Sequence, residues 1–177
     1  MSLFYDIMSI SLLSIIAFQD FKYKAVSWMV FPALFLLFVL AALEQNTIGF
    51  IAEHFLLNMV FVLFQLLMVT VYFSIKSRKI INIERNYLGS GDILFFIVLA
   101  VSFSFLNFVF VYILSLIAVV AAYLFYRLFK KNTAEQIPLA GGMAVLLAFF
   151  YVLKIINMPF NFHDDSFALE LSSRLIL

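Results

Sequence analysis

The sequence contains no cysteine and few charged residues. The absence of cysteine from its 177 residues excludes disulfide bonds, thiol catalysis and zinc sites built from paired cysteines. Charged residues make up 12% of the chain, against roughly 25% in soluble domains, and hydrophobic residues make up 66%. A formal net charge of +1 offers no basic domain for nucleic acid. With a mean hydropathy of +1.14, this composition predicts an all-α polytopic membrane protein.

A cleavable signal peptide is also lacking, since no Lys or Arg precedes the first apolar run and no small-residue cleavage site follows it. We therefore expect a retained first helix and a single integral-membrane domain, residues 1–177. Because one span takes about 20 apolar residues, the apolar runs predict about six transmembrane helices. The predicted spans cover residues 3–18, 26–43, 55–75, the two halves of 93–129, and 137–156.

The run 93–129 is long enough for two spans, so a tight hairpin is expected at its polar interruption, residues 102–107. Residues 1–156 would then form a helical bundle. The remaining residues, 157–177, are polar and then amphipathic. We expect them to form an external tail that lies on the membrane surface or folds back on the helices, two possibilities that the sequence leaves open.

Basic residues orient the predicted bundle. Nine of the eleven Lys and Arg residues follow the first, third or fifth span, and only Lys154 and Arg174 fall on the other side. The positive-inside rule makes the lysine-rich loops cytoplasmic. Both termini are therefore expected outside.

The motif Gly89-Ser90-Gly91-Asp92 places an acid at the start of the fourth span. A charge beside an apolar span must be solvated, paired or used in function. The two glycines can take positive φ and let another backbone approach. The motif alone equally fits a helix N-cap, for which Asp is a preferred residue, and one acid can serve both purposes.

A second acid, Asp20, lies at the cytoplasmic end of the first span, at a depth similar to that of Asp92. Two carboxylates that share a proton activate water in aspartic proteases, because one accepts a proton while the other polarises the peptide carbonyl. Asp20 and Asp92 are therefore the candidate catalytic residues. Gly89, Ser90 and Gly91 are the candidate substrate-binding residues, since an extended substrate backbone must come close to the acid.

These motifs resemble those of the prepilin peptidase family, the type IV leader peptidases among the GxGD membrane aspartyl proteases. In that family an Asp followed by basic residues ends the first span, as in residues 20–24 here. A Gly-x-Gly-Asp motif begins the fourth span, as in residues 89–92, and a Pro-Gly motif begins the last, as in residues 137–142. The resemblance extends from the first predicted span to the sixth.

The resemblance implies an aspartyl endopeptidase of the bacterial inner membrane that removes the leader of a pilin-like or pseudopilin-like precursor, with its active site facing the cytoplasm. It implies the precursor and the lipid bilayer as partners, with no cofactor, metal or nucleic acid. Many family members carry a Cys-x-x-Cys insertion associated with methylation of the new amino terminus. This chain has no cysteine, so we expect cleavage without methyl transfer.

Two departures from the family pattern motivate alternatives. Leu94 stands where the family usually has Lys, and Ser27-Trp28 stands where it has Pro-Asn. One alternative is therefore a catalytically inactive member that acts as an assembly subunit. Another is a proton- or cation-coupled transporter or channel component that uses the two acids, although such sites usually lie near the bilayer midplane.

Four further polar residues complete the expectations. Asn58 and Gln65 lie seven residues apart on one face of the third span, which favours hydrogen bonds between helices. His54 and His163 are expected to be too isolated, and on the side away from the acids, for a metal site.

Overall fold

A computed structural model describes residues 2–79, 88–129, 137–156 and 162–165 of the protein. Over these ranges the chain forms six α-helices and no strands, which confirms the all-α fold class. The helices are α1 (Ser2–Tyr23), α2 (Val30–Leu43), α3 (Ile48–Ser77), α4 (Ser90–Val101), α5 (Phe105–Phe129) and α6 (Leu139–Ile155). Glu84, Arg85, Lys130, Lys131 and most of the predicted tail lie outside the described residues.

Three of the helices are long and apolar enough to cross a membrane, namely α1, α3 and α5. The other three are apolar but shorter, with 14 residues in α2, 12 in α4 and 17 in α6. At 1.5 Å per residue, α4 is only about 18 Å long, less than the roughly 30 Å of a hydrocarbon core. These lengths agree with a membrane protein, while the number of spans stays a prediction.

The short helix α4 lies at the centre of the bundle. It packs against α2, α3 and α6. Half of its residues are buried: Phe95, Phe96, Val98, Leu99, Ala100 and Val101. The helix that carries the second candidate acid is therefore held on several sides.

The predicted end of the first span at residue 18 is wrong, because α1 continues through Gln19 and Asp20 to Tyr23. Lys24 then adopts a positive φ of 53°, and its N–H donates to the carbonyl of Asp20 at 3.0 Å. Asp20 therefore lies in the last turn of a helix and has a fixed backbone direction.

Two other predicted helix starts also shift. The second helix begins at Val30, four residues later than expected, and the third begins at Ile48, seven residues earlier. The early start of α3 has a local cause, since the side chain of Thr47 accepts the N–H of Phe50 at 3.4 Å and caps the helix.

Helices α1 and α6 form the most extensive helix pair in the described structure, and they run antiparallel. At one end Asp20 Oδ2 accepts the N–H of Gly141 at 2.6 Å. At the other end Lys154 Nζ and Asp6 Oδ1 form an ion pair at 2.7 Å, in which the Asp6 side chain is only 6% exposed. Contacts at both ends fix the register of the two helices, and hence the position of Asp20.

The predicted hairpin is confirmed at residues 102–104, between α4 and α5. Residues 162–165 fold back over it, which answers the open question for this part of the tail. The N–H of Ser104 donates to the Phe162 carbonyl at 3.0 Å, and Asn107 Nδ2 donates to the Asp164 carbonyl at 2.8 Å. The irregular backbone of the hairpin is therefore covered by protein.

Asn58 and Gln65 both face neighbouring helices. Asn58 Nδ2 donates to the carbonyls of Ala100 at 2.8 Å and Phe103 at 3.0 Å, at the end of α4. This confirms the predicted interhelical hydrogen bond, and Asn58 is fully buried. Gln65 lies beside the Tyr112 side chain of α5. Because carbonyls at a helix end have no intrahelical donor, Asn58 allows α4 to end inside the bundle.

His54 and His163 lie within electrostatic reach of each other, and the expectation that they form no metal site stays a prediction. Burial, together with the charge of Lys154 and the nearby His54, lowers the pKa of His163 to about 4. His54 Nδ1 accepts the N–H of Phe105 at 3.1 Å, so this ring caps the start of α5. The two histidines are far apart in the sequence. Their proximity could not be predicted, because the fold-back of the tail that brings them together carries no periodic signal.

Replacement of Asn58 by the isosteric Leu should destabilise the protein. The variant leaves two buried carbonyls without a donor, which costs about 1–3 kcal/mol. The measurement is the midpoint of unfolding in detergent, with Val60→Leu on the exposed face of α3 as the control. Equal midpoints for Asn58→Leu and wild type would contradict this role.

The stability contributed by His163 should depend on pH. The folded protein favours the neutral ring, with a pKa of about 4, while the unfolded chain takes up a proton near the ordinary value of about 6.5. The contribution is therefore complete above pH 6.5 and decreases as the pH falls towards 4. Thermal unfolding between pH 7.5 and 4.5 should show a smaller decline for His163→Gln than for wild type. Parallel profiles would argue against this assignment.

Candidate active site

The motif at residues 89–92 forms the start of α4. Gly89 is the N-cap residue, and Asp92 is the third residue of the helix. Asp92 Oδ2 accepts the N–H of Gly89 at 3.0 Å. The N-cap interpretation of Asp92 is therefore wrong by position but retains part of its chemistry, since the acid reaches back to the first turn as in a capping box. This contact occupies one carboxylate oxygen.

The other oxygen of Asp92 points to a different helix. Asp92 Oδ1 accepts the N–H of Ala140 at 2.8 Å, and Asp20 Oδ2 accepts the N–H of the next residue, Gly141. Consecutive Cα atoms lie about 3.8 Å apart, so the two carboxylates bind to neighbouring points of one backbone. The structure thus brings together the two acids that the sequence analysis paired, although 72 positions separate them.

The first turn of α6 explains why both acids converge there. Backbone N–H groups in the first turn have no partner within their helix, and the helix dipole places partial positive charge at the same end. These two effects hold two negative groups close enough to influence each other electrostatically. Lys24 adds a positive charge beside Asp20. The helix terminus therefore offsets part of the repulsion between the carboxylates.

Gly141 is required by the close packing of α1 on α6. A Cβ atom at this position would lie 2.9 Å from both Cβ and Oδ2 of Asp20. The next glycine has a similar role towards α5, because a Cβ atom at Gly142 would lie 2.5 Å from Cγ2 of Val119. Real Cβ contacts are longer than these distances, so any side chain would push the helices apart.

The glycines of the motif act differently from the expectation. None of the glycines in the described structure has a positive φ, so the turn does not need them for a left-handed backbone. Gly89 and Ser90 are exposed, and Gly91 is half-buried near the ring of Phe31. The motif thus presents accessible backbone beside Asp92, and the substrate-binding role of Gly89, Ser90 and Gly91 stays a prediction.

The amides of Ala140 and Gly141 were not predicted as partners of the acids. The available signal was the sequence Pro138-Leu139-Ala140-Gly141-Gly142, which predicts a helix start with close packing. Nothing in that pattern names an acidic partner. Within the described ranges no cluster of three or more His, Asp or Glu side chains could hold a metal ion.

Gly141→Ala should destabilise the protein, because the added methyl group collides with Asp20. Overpacking of this kind costs about 1–3 kcal/mol. Gly49→Ala is the matched control, since a Cβ atom there meets nothing within 4 Å and the exchange favours the helix by up to about 1 kcal/mol. Unfolding midpoints in detergent should move in opposite directions. A Gly141→Ala variant as stable as Gly49→Ala would contradict the close contact.

The contacts of the two acids are the basis for a functional proposal, because comparisons with known proteins give no match. No protein-family model matches the chain, and neither a curated protein nor a solved structure matches it. The two acids and the motifs around them are therefore the features from which a function can be proposed.

Proposed function

We propose that the protein is an aspartyl endopeptidase with Asp20 and Asp92 as its catalytic pair. The observation that carries this proposal is the binding of both carboxylates to the consecutive amides of Ala140 and Gly141. Carboxylates that approach this closely do not readily ionise together, so one proton is shared between them. Such a pair combines a base and an acid in one site.

The hydrogen bonds suggest how the roles divide. Both oxygens of Asp92 accept backbone N–H groups, whereas Asp20 Oδ1 has no hydrogen-bond partner among the described residues. We assign the shared proton to Asp20 Oδ1, from which it can be donated to the carbonyl oxygen of the substrate. Asp92 then accepts a proton from the attacking water. Asp92 then passes this proton to the amide nitrogen, the C–N bond breaks, and Asp20 recovers a proton from a hydroxyl of the tetrahedral intermediate, which leaves a free amine and a new carboxylic acid.

The proposed topology has six spans with both termini outside, which places the acids at the cytoplasmic face of a bacterial inner membrane. The support is the charge bias, since Lys22, Lys24, Lys76 and Lys79 all lie on the side of Asp20 in the predicted topology. In this arrangement the short helices α2, α4 and α6 cross the bilayer where the protein thins it.

The proposed substrate is a pilin-like precursor whose leader is cut next to its apolar helix. The support is the resemblance of residues 20–24, 89–92 and 137–142 to the motifs of prepilin peptidases. The exposed backbone of Gly89 and Ser90 next to Asp92 gives an extended peptide room to approach. The type IV pilus or a related assembly is the corresponding process.

The transporter alternative is less well supported. Asp20 lies in the last turn of α1, and Asp92 lies in the first turn of α4. Both acids are therefore at helix ends, and coupling sites of transporters usually lie at broken helices near the midplane. The inactive assembly subunit remains an alternative because Leu94 stands where the family usually has Lys. The cleavage experiment below separates it from an active enzyme.

Leader removal should depend on both acids. Coexpression with candidate pilin-like precursors should give cleavage by wild type and about a 10²–10⁴-fold slower rate for Asp20→Asn and for Asp92→Asn, because each removes a proton-transfer group. The measurement is the ratio of mature to precursor protein over time.

Glu53→Gln is the control, since Glu53 is an exposed acid on α3, and it should cleave like wild type. Wild-type rates for both Asn variants would refute the catalytic pair. Absence of cleavage by the folded wild type with every precursor would favour the inactive assembly subunit.

A further inference from the structure

A large groove lies beside the candidate site, between the end of α1 and the facing sides of α5 and α6. Its volume is about 840 Å³, near the upper end of the roughly 300–1,000 Å³ usual for ligand sites. Most of the lining is apolar, and it includes the small residues Ala118 and Ala122 on α5 and Gly142 on α6. The groove therefore has room for one or more aliphatic chains.

The charge of the groove is concentrated at one end. Lys22 and Lys24 line it where α1 ends, next to Phe21. Lys22 Nζ lies 5.1 Å from the ring centroids of both Phe18 and Tyr23, so aromatic faces hold the ammonium group. No described carboxylate forms an ion pair with Lys22. This end therefore presents positive charge to whatever enters the apolar part.

Aromatic residues with polar tips lie on the α5 side of the groove. Tyr123 and Tyr126 both contribute to its lining, near the end of α5. Tyrosine is enriched where a membrane protein meets the headgroup region, because its ring is apolar and its hydroxyl is polar. Lysines and tyrosines line one part of the groove, and the rest of its lining is apolar. This arrangement matches the headgroup and acyl-chain regions of one bilayer leaflet.

We propose that this groove is a binding site for an anionic phospholipid, with the phosphate held by Lys22 and Lys24 and an acyl chain along Ala118 and Ala122. Charge complementarity selects the anionic headgroup, since basic pockets between membrane helices bind such lipids. The apolar part of the groove favours a lipid over a free anion, because a free anion would contact only the two lysines. Because Lys24 lies close enough to Asp20 for the two charges to interact, the headgroup lies near the candidate catalytic pair.

Lipid selectivity tests the proposal without an activity assay. The purified full chain in detergent is offered equal amounts of phosphatidylglycerol and phosphatidylcholine with identical acyl chains, and bound lipid is counted by native mass spectrometry. We expect about a 30-fold preference for phosphatidylglycerol, since each of two lysines near a headgroup contributes about 1 kcal/mol. The double variant Lys22→Gln/Lys24→Gln should lose this preference, while Lys76→Gln/Lys79→Gln, which removes two exposed lysines from the end of α3, should keep it.

The apolar part of the site is tested with a second pair of variants. Ala122→Trp fills the groove and should reduce bound phosphatidylglycerol about tenfold, whereas Ala121→Trp, on the exposed side of α5, should not. Equal binding of the two lipids by wild type would overturn the proposal. Unchanged lipid binding by Ala122→Trp would also overturn it and leave the groove to a polypeptide helix. Stabilisation by inorganic phosphate equal to that by the lipid would show an anion site only.

Discussion

Two carboxylates bound to the first turn of α6 are the interaction on which this structure depends. The amides of Ala140 and Gly141 have no partner within their helix, and Asp20 and Asp92 supply one each. In an apolar bundle an unpaired N–H group is costly, and so is an isolated carboxylate. Each group therefore satisfies the other. The result joins α1, α4 and α6 at one end of the bundle, whichever chemistry the acids perform.

The same physical rule applies at other helix ends. Asn58 donates to the carbonyl of Ala100 in the last turn of α4 and to that of Phe103 in the hairpin, and residues 162–165 cover the start of α5. The ion pair of Asp6 with Lys154 closes the far end of the α1–α6 pair. Polar side chains are few in this sequence, and several of those that are buried complete the hydrogen bonding of a helix terminus. The acids are thus positioned by a scaffold with polar contacts at both ends.

Much of the fold could be predicted because it follows from hydropathy. The all-α class, the hairpin at residues 102–104 and the interhelical role of Asn58 all come from where polar residues interrupt apolar runs. The pairing of Asp20 with Asp92 was predictable as a hypothesis, because charge bias places both on one side. The helix lengths were harder to predict, since α1 extends through Asp20, whose carboxylate makes a tertiary contact with Gly141 that the sequence does not indicate.

Other features carry no sequence signal. Any non-proline residue has a backbone N–H, so the part played by Ala140 could not be read from its identity. The glycines at residues 89 and 91 suggested positive φ, but the conformation of the turn is ordinary, and a Cβ atom would make only ordinary contacts there, 3.4 Å from Asp92 Oδ2 and 3.9 Å from the Phe31 ring. The proximity of His54 to His163 depends on the fold-back of a short segment whose composition fits several placements.

The most direct test of the central claim is a distance in a lipid bilayer. Solid-state NMR on protein labelled with ¹³C at aspartate and ¹⁵N at glycine can measure the separation of the Asp20 carboxyl carbon from the Gly141 amide nitrogen. A hydrogen bond of 2.6 Å between Oδ2 and N places these nuclei within about 4 Å of each other. Coupling that corresponds to this distance, and that is lost in Asp20→Ala, is the predicted result. Absence of the coupling in folded protein would show that the two acids are not gathered on α6.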